Sequence, residues 1–288
     1  MFRRLTLVIA TALSAITASA LGSATASATT SATSLALDAA PVVNIAHRGA
    51  SAYAPENTIA AFELADRQRA DLVEFDVQQT EDHELVLLHD TTLSRTTDVE
   101  EVFPSLSPWN VGDLTLTQIR KLDAGSWFGG TYAGEPVPTL GEALRAMSGS
   151  GMGLLLEVKQ PDRYPGIERR IADELRRSPG WLTPGKLVVQ SFDWDSMRAF
   201  HRLLPDVPIG LLGTPSTAEL PGLATFADEV TAPHTTLTAA YVRSVHGLGM
   251  RVLTWTVDDT DAMRRMLTYR VDGIITNRPD VLHAVLDT

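Results

Sequence analysis

From residue 42 onward, short apolar runs alternate with segments whose apolar residues recur at helical spacing. Strands that alternate with helices are typical of a parallel sheet. The number of runs is close to eight, which predicts a closed α/β barrel of the TIM (β/α)8 type rather than an open sheet. Nine runs are present, so one lies outside the barrel, and the pattern does not say which. The predicted strands are residues 42–46, 72–77, 85–88, 153–158, 187–191, 209–212, 229–230, 251–257 and 273–276.

Residues 91–138 interrupt this alternation after the third predicted strand. They are rich in Thr, Gly, Pro and Trp, and they contain one predicted helix, residues 116–121. A stretch of this length without strand periodicity is either disordered or a small subdomain over a functional mouth. Trp109, Trp127 and Phe128 favour the subdomain. We therefore expect one barrel domain, residues 41–288, with a small insertion subdomain at residues 91–138.

The first 28 residues are predicted to be a secretory signal peptide, with a basic start, an apolar stretch and a small-residue cleavage site ending at Ala28. Cleavage after Ala20 also fits. The apolar stretch is short and contains many Ser and Thr residues, so we do not expect it to span a membrane. Residues 29–40 are a Ser/Thr/Ala tract that we expect to be a disordered spacer. These features predict a secreted, extracellular protein without stable membrane insertion.

The formal net charge of −11 falls to about −13 once Arg3 and Arg4 leave with the signal peptide. Such a surface argues against nucleic acid and against electrostatic docking on anionic membranes. An anionic substrate would therefore need a local positive site. The chain has no cysteine, which excludes disulfides and thiolate metal sites.

The run at residues 72–77 carries Glu74 and Asp76 two positions apart, so both side chains point to one face of a strand. The positions between and beside them are Val, Phe and Val. Two carboxylates on one face of an apolar strand repel each other and are costly to bury without a partner. A bound cation is the simplest compensation. The alternative is a pair of solvated carboxylates on an edge strand.

Several other polar side chains stand at or near the predicted C-terminal ends of strands, the face where barrel enzymes build their sites. Glu157 would join Glu74 and Asp76 in an all-oxygen ligand set that suits a hard cation, Ca²⁺ or Mg²⁺, rather than zinc. Alternatively, Glu157 pairs with Lys159 in a structural salt bridge. The residues expected at this face are His47, Glu74, Asp76, His89, Glu157, Lys159, Gln190 and Trp255.

His47 and His89 suit a general base and a general acid, because imidazole titrates near neutral pH. A guanidinium beside them, Arg48, together with a metal provides the charge neutralisation that a phosphate diester requires. Lys159 would add a second positive contact. Trp255 and Phe192 would form an apolar wall, although either could be ordinary core. We interpret four other histidines as structural, namely His83, His201, His246 and His283. For His234 the sequence does not decide between a structural and a functional role.

With these residues assembled, the chain closely resembles the glycerophosphodiester phosphodiesterase family, in its secreted bacterial form. The resemblance covers almost the whole chain after the signal peptide, with motifs in the family's order. The matching motifs are His47-Arg48-Gly49, Pro55-Glu56-Asn57-Thr58, Glu74-x-Asp76-Val77-x-x-Thr80-x-Asp82, His89-Asp90, Asp123-Ala124-Gly125-Ser126-Trp127-Phe128, Glu157-x-Lys159, Gln190-Ser191-Phe192, Thr254-Trp255-Thr256-Val257 and Thr276-Asn277-Arg278-Pro279-Asp280.

The resemblance implies a TIM barrel that hydrolyses glycerophosphodiesters to sn-glycerol 3-phosphate and an alcohol. It implies one divalent cation at Glu74, Asp76 and Glu157. It implies His47 and His89 as the acid–base pair. The side chains implied to contact substrate are Arg48, Lys159, Trp255, Gln190 and Phe192, with Glu56 behind them.

The chain departs from the family's usual pattern at two places. Asp82-His83 replaces Asp-Gly in the turn between the two central strands, so we expect a reshaped or slightly strained turn away from the catalytic residues. Asp258 stands where the family often has Asn, which bears on contacts to the glycerol side of the substrate.

Two other functions compete with this one. A phospholipase D-like enzyme on a related barrel would release a cyclic phosphate from lysophospholipid or sphingomyelin, but the long insertion resembles that of the glycerol-specific enzymes. A non-catalytic barrel that binds glycerophosphate would usually have lost a ligand or a histidine, and this chain keeps both sets. The sequence leaves open the alcohol group, the choice of Ca²⁺ or Mg²⁺, the nucleophile, which histidine is acid and which base, and the oligomeric state.

Overall fold

The computed structural model describes residues 41–288. The predicted signal peptide and spacer lie outside the described residues. Within the described part, eight parallel strands close into a barrel in the order β1-β2-β4-β5-β6-β7-β8-β9, with β9 paired back to β1. This confirms the predicted TIM barrel. The strands in chain order are β1 (Val43–His47), β2 (Leu72–Gln79), β3 (Leu85–Leu87), β4 (Gly153–Val158), β5 (Leu187–Ser191), β6 (Ile209–Leu212), β7 (Glu229–Pro233), β8 (Arg251–Trp255) and β9 (Gly273–Thr276).

Helices flank the barrel and begin where the sequence provides capping groups. The Thr58 side chain accepts from Ala61 N at the start of the first helix. Thr139 and Glu142 form a reciprocal capping box before the fourth. No helix within residues 41–288 is both long and apolar enough to cross a membrane. The helices are α1 (Ile59–Arg67), α2 (Val99–Val102), α3 (Leu116–Ile119), α4 (Leu140–Ala146), α5 (Ile167–Arg177), α6 (Trp194–Leu203), α7 (Leu220–Leu223), α8 (Ala239–His246), α9 (Thr260–Tyr269) and α10 (Pro279–Leu286).

The strand outside the barrel is β3. The expectation that His89 ends a parallel strand is wrong, because β3 runs antiparallel to β2, with Val77 opposite Leu87. The chain reverses at His83, which has left-handed backbone (φ 67°), so this turn is strained as expected. The returning chain bonds Leu88 N–H to Asp76 O at 3.1 Å. The hairpin therefore brings His89 back beside the carboxylate strand.

The barrel interior follows the two-residue alternation of its strands. An apolar layer fills the middle of the barrel: Ile45, Leu155, Val188, Leu253 and Ile275, all buried. At positions one alternation further along β4 and β5, Glu157 and Gln190 are opposite each other. The polar side chains at the carboxyl end of the barrel therefore rest on a packed apolar floor.

Residues 91–138 fold as a series of short helices and turns beside β3. Their apolar side chains form a second buried cluster with Val86 and Leu88. Its members from the segment itself include Leu93, Val111 and Ile119. The assignment of residues 91–138 as an insertion subdomain stays a prediction.

The apolar floor sets a stability prediction. Leu155→Ala removes a fully buried side chain from the barrel interior. We expect the free energy of unfolding to fall by about 2–5 kcal/mol, because the surrounding strands cannot collapse into the space. Leu248→Ala is the control, since Leu248 is 39 % exposed, and it should change stability by less than about 0.5 kcal/mol. Denaturant titration measures both, and equal effects would contradict the proposed floor.

Candidate active site

The carboxyl ends of the barrel strands surround a cavity of about 120 Å³. Of the predicted site residues, Glu56 and Asp76 lie behind its lining, and both contact Arg48. The structure thus gathers all the predicted site residues at one mouth, where the chain's topology places strand ends together. The cavity is lined by His47, Arg48, Glu74, His89, Glu157, Lys159, Gln190, Phe192, Leu212, Trp255, Thr256 and Ile275.

Three buried carboxylates form the centre of the site. Glu74 and Asp76 lie on one face of β2, and Asp76 is paired in register with Glu157 on β4. One oxygen from each of the three lies within 4.8 Å of the others. Their residues are only 2 %, 1 % and 7 % exposed. The solvated edge-strand alternative is therefore wrong for Glu74 and Asp76, because β2 is a central strand with β1 and β4 on its two sides.

Burial and mutual repulsion set the pKa values of this cluster in the absence of a cation. Burial raises the pKa of Glu74 well above its usual range, and the charges of Asp76 and Glu157 add to the shift. Burial and Asp76 raise the pKa of Glu157 to about 7, against the opposing effect of Lys159. For Asp76, burial alone would raise the pKa, but Arg48 and Lys159 hold it below its usual value.

This donor set fits a hard divalent cation. All three donors are carboxylates, the ligand type that Mg²⁺ and Ca²⁺ prefer. Asp76 Oδ1 is buried and has no hydrogen-bond partner within residues 41–288. Its ion-pair partner Lys159 Nζ lies 3.6 Å away, beyond hydrogen-bond distance, so a bound cation would compensate this buried oxygen more fully. Glu74, Asp76 and Glu157 could therefore hold the metal.

Two cationic side chains flank the carboxylates. Arg48 has left-handed backbone (φ 55°), and its N–H donates to Glu74 Oε2 at 2.9 Å. Its guanidinium donates to Glu56 Oε1 at 2.9 Å, and its Nε lies 3.2 Å from Asp76 Oδ2. Lys159 Nζ lies 2.7 Å from Glu157 Oε1. The Glu157–Lys159 salt bridge that the sequence offered as an alternative is thus present. It does not exclude Glu157 from the carboxylate cluster, because Glu157 takes part in both.

His47, at the end of β1, has its Nδ1 2.7 Å from Asn277 Oδ1. Burial and the neighbouring Arg48 charge lower the pKa of His47 to about 4. The ring is therefore neutral at physiological pH. With Nδ1 engaged by Asn277, Nε2 is the nitrogen left for chemistry.

His89 is held by a different partner. Its Nδ1 lies 2.7 Å from Asp90 Oδ1. Arg95 binds the same carboxylate through Nε, 2.6 Å from Asp90 Oδ2, and hydrogen bonding to Arg95 and His89 lowers the pKa of Asp90 to about 2. Gln78 Nε2 donates to the carbonyls of Leu88 and Asp90 at 2.8 and 2.6 Å. The histidine therefore sits on a segment fixed on both sides.

Aromatic and amide side chains complete the wall. The rings of Phe192 and Trp255 meet edge to face, with centroids 5.9 Å apart. Phe192 is 55 % exposed, so it is rim rather than core. Gln190 is buried, and its Oε1 has no hydrogen-bond partner in the described chain. These three side chains are available to a bound molecule.

The histidines interpreted as structural lie away from the cavity within the described chain. His83 bonds to Gln79, and His246 lies 2.8 Å from the Asp272 carboxylate. The undecided His234 turns its Nδ1 toward Trp255 O at 3.3 Å, and it too is outside the lining. Asp258 does not line the cavity either, although the sequence associated it with glycerol contacts.

The sequence model of the Glycerophosphoryl diester phosphodiesterase family matches residues 47–281. That span runs from His47 to beyond the last barrel strand and includes every site residue described above. The chain belongs to this family. It is therefore an enzyme, a phosphoric diester hydrolase.

Curated relatives are similar over most of their length. A glycerophosphodiester phosphodiesterase of Caldanaerobacter subterraneus subsp. tengcongensis is 37 % identical over 242 residues, which cover 83 % of this chain and 95 % of that protein. A glycerophosphodiester phosphodiesterase of Bacillus subtilis (strain 168) is 35 % identical over 261 residues, which cover 85 % and 86 %.

Among solved structures, a phosphodiesterase from Oleispira antarctica in complex with the product sn-glycerol-3-phosphate superposes with a TM-score of 0.77 and 30 % sequence identity. The match covers 86 % of this chain and 97 % of that one. The barrel fold is therefore shared with a phosphodiesterase of known structure.

Arg95 contacts this candidate site, and the sequence did not single it out. Its guanidinium joins two carboxylates, donating to Asp90 through Nε and to Glu56 Oε1 and Oε2 at 2.7 and 2.8 Å. Glu56 in turn accepts from Arg48, and Asp90 holds His89. The sequence signal was only an arginine five residues after Asp90, in a segment without clear periodicity.

Replacing Arg95 should therefore weaken the site without unfolding the barrel. We expect Arg95→Gln to lower turnover about 10- to 100-fold, because Asp90 and Glu56 lose the guanidinium that bridges them. Arg95→Lys keeps the positive charge but lacks the planar guanidinium that bonds both carboxylates at once. The loss of turnover in this variant should therefore be intermediate. Steady-state kinetics measure the effect.

The control for Arg95 is Arg120→Gln, which removes an arginine of the same segment that binds Glu142 alone. It should keep turnover within about twofold of the parent. An Arg95→Gln enzyme as active as Arg120→Gln would show that the bridge has no catalytic consequence.

Proposed function

We propose that the chain hydrolyses glycerophosphodiesters to sn-glycerol 3-phosphate and an alcohol, with a divalent cation and a His47/His89 acid–base pair. The observation that carries this proposal is the joint presence, at one cavity, of three buried carboxylates, two cationic side chains and two histidines. The family relationship and the product complex of the Oleispira antarctica phosphodiesterase support the same substrate class.

Glu74, Asp76 and Glu157 would hold the cation, Ca²⁺ or Mg²⁺. When bound, it supplies positive charge that neutralises the phosphate and offsets the repulsion among the three carboxylates. Arg48 and Lys159 extend this positive region from either side of the cluster. In a chain of net charge −11, these positive groups are what allows a phosphodiester to approach.

The substrate phosphate binds against Arg48 and Lys159. The guanidinium of Arg48 is kept in place by Glu56, so its position does not depend on substrate. Gln190 Oε1, buried and unpartnered within the described residues, is available to a substrate hydroxyl. The edge-to-face pair of Phe192 and Trp255 covers the carbon skeleton at the rim.

We assign His47 as the base and His89 as the acid. His47 is neutral, and its Nε2 is free to accept the proton of the nucleophilic hydroxyl as that oxygen bonds to phosphorus. The bond from phosphorus to the alcohol oxygen then breaks, and this oxygen takes a proton from His89 Nε2. Asp90, 2.7 Å from His89 Nδ1, stabilises the protonated ring before the transfer.

The nucleophile is either water or the 2-hydroxyl of the glycerol unit. Water gives sn-glycerol 3-phosphate in one step, whereas the hydroxyl gives a cyclic phosphate that water must then open. Phosphorus NMR during turnover separates the two routes. The same spectra, recorded with lysophospholipid, test the phospholipase D-like alternative.

The first test is release of sn-glycerol 3-phosphate from glycerophosphocholine by residues 41–288. We expect His47→Ala and His89→Ala each to reduce turnover by roughly two to four powers of ten, because each removes a proton-transfer group. His283→Ala is the control, since His283 lies on α10 outside the cavity, and it should retain turnover. Retained activity in His47→Ala or His89→Ala would remove that residue from the scheme.

The second test removes the metal. Enzyme stripped with chelator should be inactive, and Ca²⁺ or Mg²⁺ should restore it and raise its melting temperature, because a ligand that binds only the folded state stabilises that state. Glu74→Gln should raise the metal concentration for half-activation about 10- to 100-fold. Asp261→Asn is the control, because its side chain is 88 % exposed and lies on α9, outside the cavity. Full turnover in chelator would contradict the metal role.

We also propose that the protein is exported, on the strength of its basic start, apolar stretch and cleavage site ending at Ala28. Expression of the full chain in a bacterial host, followed by terminal peptide mapping of protein in the medium, tests this. We expect a new terminus after Ala28 or Ala20. Protein retained in the cells with its leader intact would contradict export.

A further inference from the structure

The amide of Asn277 lies between a catalytic histidine and a carboxylate. Its Oδ1 is 2.7 Å from His47 Nδ1, and its Nδ2 donates to Asp258 Oδ2 at 2.6 Å. The backbone N–H of Asn277 also donates to Asp258, to Oδ1 at 2.8 Å. Asp258, Asn277 and His47 therefore form one continuous chain of hydrogen bonds.

Asp258 determines which way the amide faces. An ionised carboxylate only accepts hydrogen bonds, so the NH₂ group of Asn277 must point toward Asp258. The amide oxygen then points toward His47, and Nδ1 of the ring must be the donor. Nε2 is left with its lone pair, which is the form a general base requires.

Ser51, the other neighbour of the Asn277 amide, does not fix the orientation of that amide. The Ser51 hydroxyl lies 2.7 Å from Asn277 Oδ1 and 2.7 Å from His47 O, with a single proton for the two acceptors. If the amide were flipped, Ser51 could accept from the NH₂ group and donate to His47 O. A flipped amide would present a donor to His47 Nδ1 and so place the ring proton on Nε2, which would then be unable to accept one.

Asp258 is itself fixed. Thr276 Oγ1 donates to Asp258 Oδ1 at 2.9 Å and in turn accepts from Arg278 N at 3.1 Å. Asp258 follows β8, whereas Thr276 ends β9, so neighbouring barrel strands clamp the carboxylate. It touches neither the cavity nor His47 directly.

We propose that Asp258 is a positioning residue that sets the tautomer of His47 through Asn277. This inference rests on the proposed role of His47 as general base. It assigns Asp258 to the organisation of the base rather than to contacts with the glycerol unit.

Two variants and a neighbouring control test the proposal. Asp258→Asn has nearly the same shape, but the Asn277 N–H and Thr276 would hold its oxygen, so its NH₂ group would face the side-chain amide of Asn277. Asp258→Ala removes the acceptor. Asp259→Ala is the control, because the Asp259 carboxylate accepts from Asp261 N and Ala262 N at the start of α9 and belongs to that helix cap.

We expect kcat to fall about 10- to 100-fold in both Asp258→Ala and Asp258→Asn, with KM within about twofold in both. Asp259→Ala should lose thermal stability but keep kcat. A purely structural role for Asp258 would give the opposite pattern, with lowered stability and unchanged kcat, and would overturn the proposal. If Asp258→Ala does not fold, the comparison of Asp258→Asn with the parent decides.

Nitrogen NMR of histidine-labelled protein provides a readout that needs no turnover. The His47 ring signals, assigned by their loss in His47→Ala, should show the proton on Nδ1 in the parent and a shift toward Nε2 in the Asp258 variants. Unchanged signals in both variants would overturn the proposal.

Failure of the proposed function can be told apart from failure of the positioning role of Asp258. If the parent protein hydrolyses no glycerophosphodiester, or His47→Ala stays active, the proposed function fails, and the NMR comparison alone decides whether Asp258 controls the tautomer. If the parent is active and His47→Ala is not, unchanged kcat in both Asp258 variants rejects the positioning role and leaves the proposed function intact.

Discussion

Three carboxylates held within 4.8 Å of one another in the barrel mouth are the constraint to which the rest of the site responds. Burial and like charge both disfavour their ionised forms. The surrounding side chains oppose this: Arg48 and Lys159 contribute positive charge, and Asn57 Nδ2 donates to Asp76 Oδ2 at 2.9 Å. Even so, one Asp76 oxygen remains without a hydrogen bond within the described residues. The cluster is thus only partly compensated by the protein, and a cation would complete it.

The closed barrel is what makes such a cluster possible. Parallel neighbours end at the same edge, so residues in register on β2 and β4 bring Asp76 and Glu157 together without any loop to place them. The apolar layer below, which includes Leu155, fixes the strands against the repulsion of the charges above. Loop residues then add what strands cannot: Arg48, Asn277 and Arg95 all lie outside the strands and bind the side chains that the strands or hairpin present.

Alternation along strands and the positions of strand ends decided how much of the site the sequence could predict. Period-two alternation and strand ends placed Glu74, Asp76 and Glu157 on one face, and the barrel followed from the alternation of strands and helices. The strand before His89 was misjudged because Leu85 and Leu87 pack on the barrel cluster while Val86 and Leu88 pack on the second cluster. A hairpin strand buried on both faces has the composition of a parallel barrel strand. Arg95 could not be predicted, because its two carboxylate partners come together only through the hairpin.

Each of the two histidines has a carboxylate nearby, but one contact is direct and the other runs through an amide. This difference bears on the roles of the two rings. Asp90 bonds His89 directly, so a full negative charge lies 2.7 Å from the ring nitrogen. Asp258 reaches His47 only through the neutral amide of Asn277, which orients the ring and adds little charge. Arg48 beside His47, together with burial, further disfavours protonation there. A site with one histidine bonded directly to a carboxylate and the other kept neutral fits a proton donor on one side and a proton acceptor on the other, which supports the assignment of His89 as acid and His47 as base.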